Sequence, residues 1–175
     1  AYNQNDFMNA ENIFKTFLEL FPNSPKAEEV DYMRAFCYYR QSPKPELDQT
    51  STIRTVGMMQ TFINTHPGSP RNKEAWEIIE QCRAKLETKE FKGAQLYFDM
   101  SQFRAAGVAF STLLNNFPES ASADQYKLMI IKSYYRFAAM SIEEKKTERF
   151  EQVINECNEF TDRFPDSRLK KEVDE

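Results

Sequence analysis

One tetrad recurs four times along the chain: Phe21-Pro22-Asn23-Ser24, His66-Pro67-Gly68-Ser69, Phe117-Pro118-Glu119-Ser120 and Phe164-Pro165-Asp166-Ser167. A chain that repeats such a word is built from repeated structural units. The word is a helix stop followed by a helix start. Proline disfavours the α conformation in the residue before it, and the serine two positions later is placed to cap the next helix. Counting back twelve residues from each proline gives Ala10, Thr55, Ala106 and Val153; eight gives Phe14, Met59, Phe110 and Cys157; five gives Phe17, Phe62, Leu113 and Phe160. Offsets of four and three place these side chains on one face of a helix, with the small residue allowing close approach of a neighbour. Each unit therefore ends in the same amphipathic helix.

Composition agrees with an all-α architecture. Glycine and proline together are 12 of 175 residues, and β-branched aliphatics are scarce, which argues against turn-rich all-β folds. Acidic and basic residues interleave, for a net charge of −4, so no basic stripe is available to track phosphates and nucleic acid is not an expected partner. No apolar run, Leu128-Met129-Ile130-Ile131 included, approaches the length of a membrane span. Ala1-Tyr2-Asn3 reads as the middle of an element. The three cysteines, Cys37, Cys82 and Cys157, stand singly within helical patterns, the spacing of small core residues and not of a disulfide framework or thiolate metal site.

A small residue, an aromatic four later and a proline eight beyond that match the second half of the tetratricopeptide pattern. The third unit adds the preceding helix, with Tyr97 and Phe103 where that motif wants aromatics. Helices are expected over Ala27 to Arg40, Arg71 to Met100 and Asp124 to Ala139, with another starting at Arg168. Proline-to-proline intervals of 45, 51 and 47 residues exceed the 34-residue period of a plain array, so every unit carries an insertion. In the first it is the proline-broken stretch from Gln41 to Gln49; in the last, the charged stretch from Ser141 to Glu148. In the middle interval no proline interrupts Arg71 to Met100, which predicts one shared helix of about 30 residues with Gly93 as its weak point. The expectation is a single superhelical domain over 1–175, an α-solenoid of about seven helices with units ending near Pro22, Pro67, Pro118 and Pro165, and an extended concave surface.

Several words around these repeats resemble the BamD (ComL-like) family of outer-membrane assembly lipoproteins. They are Asp31-Tyr32-Met33-Arg34-Ala35 with Tyr38-Tyr39; Asp48-Gln49-Thr50 before Thr61-Phe62-Ile63; Lys85-Leu86 with Glu90 and Ala94-Gln95-Leu96-Tyr97; and Phe103-Arg104-Ala105-Ala106 before the third tetrad. Their order, with the long middle helix, distinguishes this family from other periplasmic tetratricopeptide proteins. The resemblance implies a periplasmic scaffold at the outer membrane that binds a BamA-type protein and unfolded β-barrel substrates. It also implies an N-terminal lipid anchor and a first repeat, and Cys37, Cys82 and Cys157, all interior, are not expected to carry the lipid. The turn Phe98-Asp99-Met100-Ser101, where the family commonly carries basic residues used with BamA, is acidic and apolar here, so a contact there needs different chemistry. The alternative is another cell-envelope adaptor of the coordinator type, whose sign would be regular repeat spacing.

Catalysis has no foothold, since a base beside a nucleophile is required and the sole histidine, His66, stands where other units have phenylalanine. There is no phosphate loop, HExxH or calcium loop, and no cofactor or metal is called for. Aromatics are plentiful, with 15 Phe and 8 Tyr. Most occupy packing positions, and Tyr32, Phe36 and Tyr39 form a core stripe. Adjacent aromatics cannot share one seam, because neighbours on a helix lie about 100° apart. In Tyr38-Tyr39, Tyr97-Phe98 and Tyr134-Tyr135, one member of each pair is therefore expected at the surface. With Asp99, these are the candidate partner-binding residues, rigid aromatics being typical anchors. Tyr38 and Phe98 are the expected exposed members, and Phe91, Gln95 and Phe98 the expected lining of the third unit's groove.

Overall fold

The computed structural model describes residues 6–174; the segment Ala1-Tyr2-Asn3 lies outside the described residues. Eight helices follow one another, with no strand among the described residues: α1 Phe7–Leu20, α2 Ala27–Gln41, α3 Thr50–Thr65, α4 Asn72–Asp99, α5 Phe103–Asn116, α6 Ala123–Ala139, α7 Glu143–Arg163 and α8 Lys170–Asp174. The chain is all-α, as its composition and periodicity require. It divides into two compact units, 1–88 and 89–175, with the boundary inside α4.

All four tetrads adopt one geometry. The residues before proline, Phe21, His66, Phe117 and Phe164, have φ of −132°, −123°, −130° and −127° with ψ between 56° and 64°. This is the displacement from helical ψ that a following proline imposes. Each still donates its N–H to the carbonyl four residues back, at 2.8–3.0 Å, closing the last helical turn. The serine N–H then bonds to the carbonyl of the pre-proline residue, at 3.0–3.1 Å in every copy. Its Oγ accepts the N–H two residues ahead, on Lys26, Arg71, Ser122 and Leu169, at 3.1–3.3 Å. Capping is therefore done by the serine as expected, but of a tight leading turn; the α-helix proper begins three residues after it or later.

Nine of the twelve seam residues are buried, and Phe14, Phe17 and Cys157 are half-buried. In the first unit α1 packs on α2 and α2 on α3. There Tyr32, Met59, Phe62, Ile78, Ile79 and Cys82 close a core completed by Ala35 and Ala75. Within it Tyr32 meets Phe62 edge-on at 5.4 Å, and Phe36 lies between Tyr32 and Tyr39 as the expected stripe. In the second unit α5 packs on α6 and α6 on α7. One cluster gathers Ala94, Ala106, Phe110, Leu113 and Ile130; another gathers Leu128, Ile131, Val153 and Phe160.

The insertions are of two kinds. Between α2 and α3 the chain is a loop, held by a polar cluster in which Ser42 Oγ and Thr52 Oγ1 are 2.6 Å apart and Lys85 Nζ donates to Ser42 Oγ at 2.7 Å. Buried Gln49 completes it, donating to the Lys44 and Leu47 carbonyls and accepting from Thr52. The charged stretch after Ser141, in contrast, is mostly helix, because Glu143 to Glu148 lengthens α7 at its start. Lys127 of α6 is buried and shared between Glu156 and Glu159 of α7, at 2.5 and 2.6 Å. A buried ammonium needs such partners to remain charged, and this pairing fixes the register of α7 on α6.

Two predictions follow from this packing. Ala106 is fully buried at the α5 seam, so Ala106→Leu should overpack it and cost roughly 1–3 kcal/mol, while Phe110→Ala should cost about 3–5 kcal/mol through its cavity. Denaturant melts check both, and a leucine tolerated at 106 would show the register to be wrong. The two helical glycines of the second unit should behave oppositely. At Gly93 nothing lies within 4 Å of where a Cβ would stand, whereas a Cβ at Gly107 would come 2.6 Å from the Tyr134 ring. Gly93→Ala should stabilise by up to ~1 kcal/mol, and Gly107→Ala should destabilise unless the ring moves freely.

Candidate functional site

Two of the three aromatic pairs divide between core and surface, while in the third the expectation of Tyr38 as an exposed member is corrected. In α6, Tyr134 turns inward between two clusters, and Tyr135 is exposed, meeting Phe150 edge-on at 5.8 Å. In α2 both tyrosines are half-buried. Tyr39 packs on the core and donates its hydroxyl to Gln81 Oε1 at 2.6 Å. Tyr38 lies under the Arg54 guanidinium, 5.5 Å from the ring centre, and accepts from Arg54 Nη1 at 3.2 Å.

In α4 the expectation of Phe98 as the exposed member is corrected. Phe98 packs on the second unit's core and meets Phe103 edge-on at 5.3 Å, while Tyr97 is 47% exposed. Phe91 likewise faces inward, against Phe110 and Tyr126; it and Phe98 are core, not groove lining. Gln95 donates to Asp99 Oδ1 at 2.8 Å, one turn apart on the helix surface. The cause is the helical period: once Phe91, Ala94 and Phe98 take the core face, residues 93, 96, 97 and 100 must point the other way.

That outward face is apolar. Leu96, Tyr97 and Met100 are 58%, 47% and 61% exposed, and Val108 of α5 is 55% exposed. Tyr97 also borders a groove of about 520 Å³ lined by Gln102, Arg104, Ala105, Val108 and Ala109. Arg104 is the single charged side chain on its wall, and it forms no ion pair among the described residues. The intervening turn is tight. Ser101 N–H bonds to the Phe98 carbonyl at 2.9 Å, and Gln102 N–H reaches back to the Tyr97 carbonyl at 2.8 Å. This double closure puts Ser101 at φ 59°, the left-handed region where glycine is usual. Leu96, Met100, Val108 and Arg104 were not singled out by sequence reasoning; the signal available was their place opposite the core face.

His66 caps α3, packs on Phe62 with centroids 5.0 Å apart, and sets Nε2 3.5 Å from Asp31 Oδ2. Among the described residues no group of three or more metal-ligating side chains comes together, and no helix is long and apolar enough to cross a membrane. Burial pushes the Cys37 thiol up to about 11, with the Glu11 carboxylate adding to the effect, and burial raises Cys82 too. Both behave as small buried apolar groups.

Sequence comparison supplies relatives. Residues 1–149 match the family model YfiO, described as outer membrane lipoprotein. A protein of Aquifex aeolicus that bears the name outer membrane protein assembly factor BamD is 27% identical over 174 residues, covering 99% of this chain and 56% of that protein. The outer membrane protein assembly factor BamD of Caulobacter vibrioides is 21% identical over 118 residues, covering 67% of this chain and 39% of that protein. The chain thus spans about half the length of these relatives.

A pH prediction follows from Cys37. A thiol held protonated by the fold favours the native state in full below its ordinary pKa near 9, and that contribution drains away as pH rises towards 11. Wild type should lose on the order of 2 kcal/mol more than Cys37→Ala between pH 8.5 and 11 in parallel urea melts. Equal losses would show that the thiol is not held neutral.

Proposed function

Because the chain belongs to the YfiO family of outer membrane lipoproteins, we propose that it is a non-catalytic scaffold of outer-membrane β-barrel assembly. It works on the periplasmic face of the membrane, docking the periplasmic domains of a BamA-type protein and receiving unfolded barrel segments. The names of its relatives support the assembly role. The observation that carries the docking role is the exposed stripe of Leu96, Tyr97 and Met100 beside the Arg104 groove. Apolar side chains clustered at a helix end, next to an unpaired guanidinium, fit a protein partner whose apolar segment carries a carboxylate. Burial of a few rigid anchors supplies the binding energy, and the arginine supplies orientation more than affinity.

In this chain the partner chemistry differs from what the family resemblance implies for the turn at 98–101. Apolar contact from Leu96, Tyr97 and Met100 takes the larger share, and the positive charge comes from Arg104 at the start of α5. Tyr38 under Arg54 and exposed Tyr135 are secondary anchors for extended segments of barrel substrates. The alternative, an envelope adaptor of the coordinator type, would use the same face without a BamA-type partner.

The test compares binding with stability. Tyr97→Ala should weaken capture of BamA-type periplasmic domains in calorimetric titration while leaving the melting temperature nearly unchanged. Phe98→Ala should cost about 2–4 kcal/mol of stability, with any loss of binding following from unfolding. Arg104→Glu should slow association and flatten its salt dependence. Tyr97→Ala melting as early as Phe98→Ala would place Tyr97 in the core; normal capture by both Tyr97→Ala and Arg104→Glu would move the docking face elsewhere.

A further inference from the structure

We propose that Lys127 and its two glutamates are a register lock. They exclude a second seating of α7, slipped by seven residues along α6, and serve that choice more than stability. Seven residues are close to two helical turns, so such a slip returns nearly the same face to the seam. That face repeats itself. Phe150, Val153, Cys157, Phe160 and Phe164 line the cluster shared with Leu128, Ile131 and Ala138 of α6, at steps of three and four. Moved forward by seven, Cys157, Phe160 and Phe164 take the places of Phe150, Val153 and Cys157, which all stay apolar. Apolar patterning alone therefore separates the two seatings weakly.

The start of α7 supplies the slack. Its pairs Lys145–Glu148 and Lys146–Glu143, at 3.1 and 2.8 Å, lie on the surface and are worth little. Arg149, over the Phe137 ring and bonded to Ser141 Oγ, is the main tie of this stretch to what precedes it. With 143–149 released as loop, the rest of α7 moves about 10 Å along α6. Charge decides against that move. In the observed seating Lys127, its side chain 5% exposed, donates to Glu156 Oε2 at 2.5 Å and Glu159 Oε2 at 2.6 Å. In the slipped one Arg163 stands where Glu156 stood, and Asp166, seven beyond Glu159, lies past Pro165 and outside the helix. A slip the other way brings Arg149 to the same place. Either way a second cation meets a buried ammonium, which is costly, whereas specifying register is the best-attested use of a buried ion pair. The lock protects the fourth turn, where Ser167 Oγ donates to Asp124 Oδ2 at 2.7 Å and Glu172 pairs with Lys132 at 2.5 Å.

Two variants of the purified chain test this by NMR. Lys127→Met keeps the length and removes the charge. Its melting temperature should stay near that of wild type, while the Val153 methyls show a second set of signals and Thr147, Glu148 and Arg149 lose amide protection. Arg163→Glu, on the surface, should give the same second set by placing a carboxylate where the slipped seating needs one. A single set with wild-type protection in either variant would overturn the lock, since apolar packing would then hold the register. A Lys127→Met chain that melts much earlier, or fails to fold, would overturn it as well, as a pair that serves stability.

Discussion

Everything in the two units depends on how the backbone leaves one helix and enters the next. At each tetrad proline holds the preceding residue out of helical ψ, and the serine immediately binds both that residue's carbonyl and an N–H two residues ahead. Few torsions remain free across such a turn, so the direction of the following helix is set locally. That is why the twelve-, eight- and five-back positions meet a partner in every copy despite their different chemistry. Ala10, Thr55, Ala106 and Val153 share a burial and a role without sharing a side chain. His66 shows how much the turn tolerates, since it keeps the backbone geometry of its phenylalanine counterparts and turns its spare polarity to Asp31.

Local rules of this kind made the fold legible. The helices α1, α3, α5 and α7 end where proline ends them, and the long middle helix was foreseen from the absence of proline between Arg71 and Met100. The last insertion was harder to place, because a charged stretch reads equally as loop or as solvated helix. Here Glu143 to Glu148 takes the helical option, with Lys145–Glu148 and Lys146–Glu143 pairs on its surface. Such exposed pairs are worth little, and the register of α7 is set further along, where Lys127 engages Glu156 and Glu159.

The candidate site was half legible, for a physical reason. Sequence requires that one of two adjacent aromatics leave the seam, but which one depends on the rotation of the helix about its axis. That rotation is set by distant partners: Phe110 and Tyr126 draw Phe91 inward, and Phe103 draws Phe98. Arg104 could not be ranked from sequence either, because among 23 basic residues only three-dimensional placement tells which stands unpaired on an apolar groove.

The C-terminal half of α4 breaks the usual division of a surface helix into an apolar and a polar face. Phe91, Ala94 and Phe98 satisfy the core, yet the opposite face offers Leu96, Tyr97 and Met100 to water. A helix apolar on both sides is normally buried on both, and one side here is left open by the described residues. Exposed apolar side chains grouped in this way are costly in solubility. The turn that follows adds a second departure from the cheapest local choice, a serine in the left-handed region where glycine would be unstrained. Both departures sit at one helix end, beside a groove wall that carries an unpaired guanidinium. Four other helix ends follow one economical rule, and neither the exposed apolar stripe nor the left-handed serine of this end has a counterpart in the turn geometry they share.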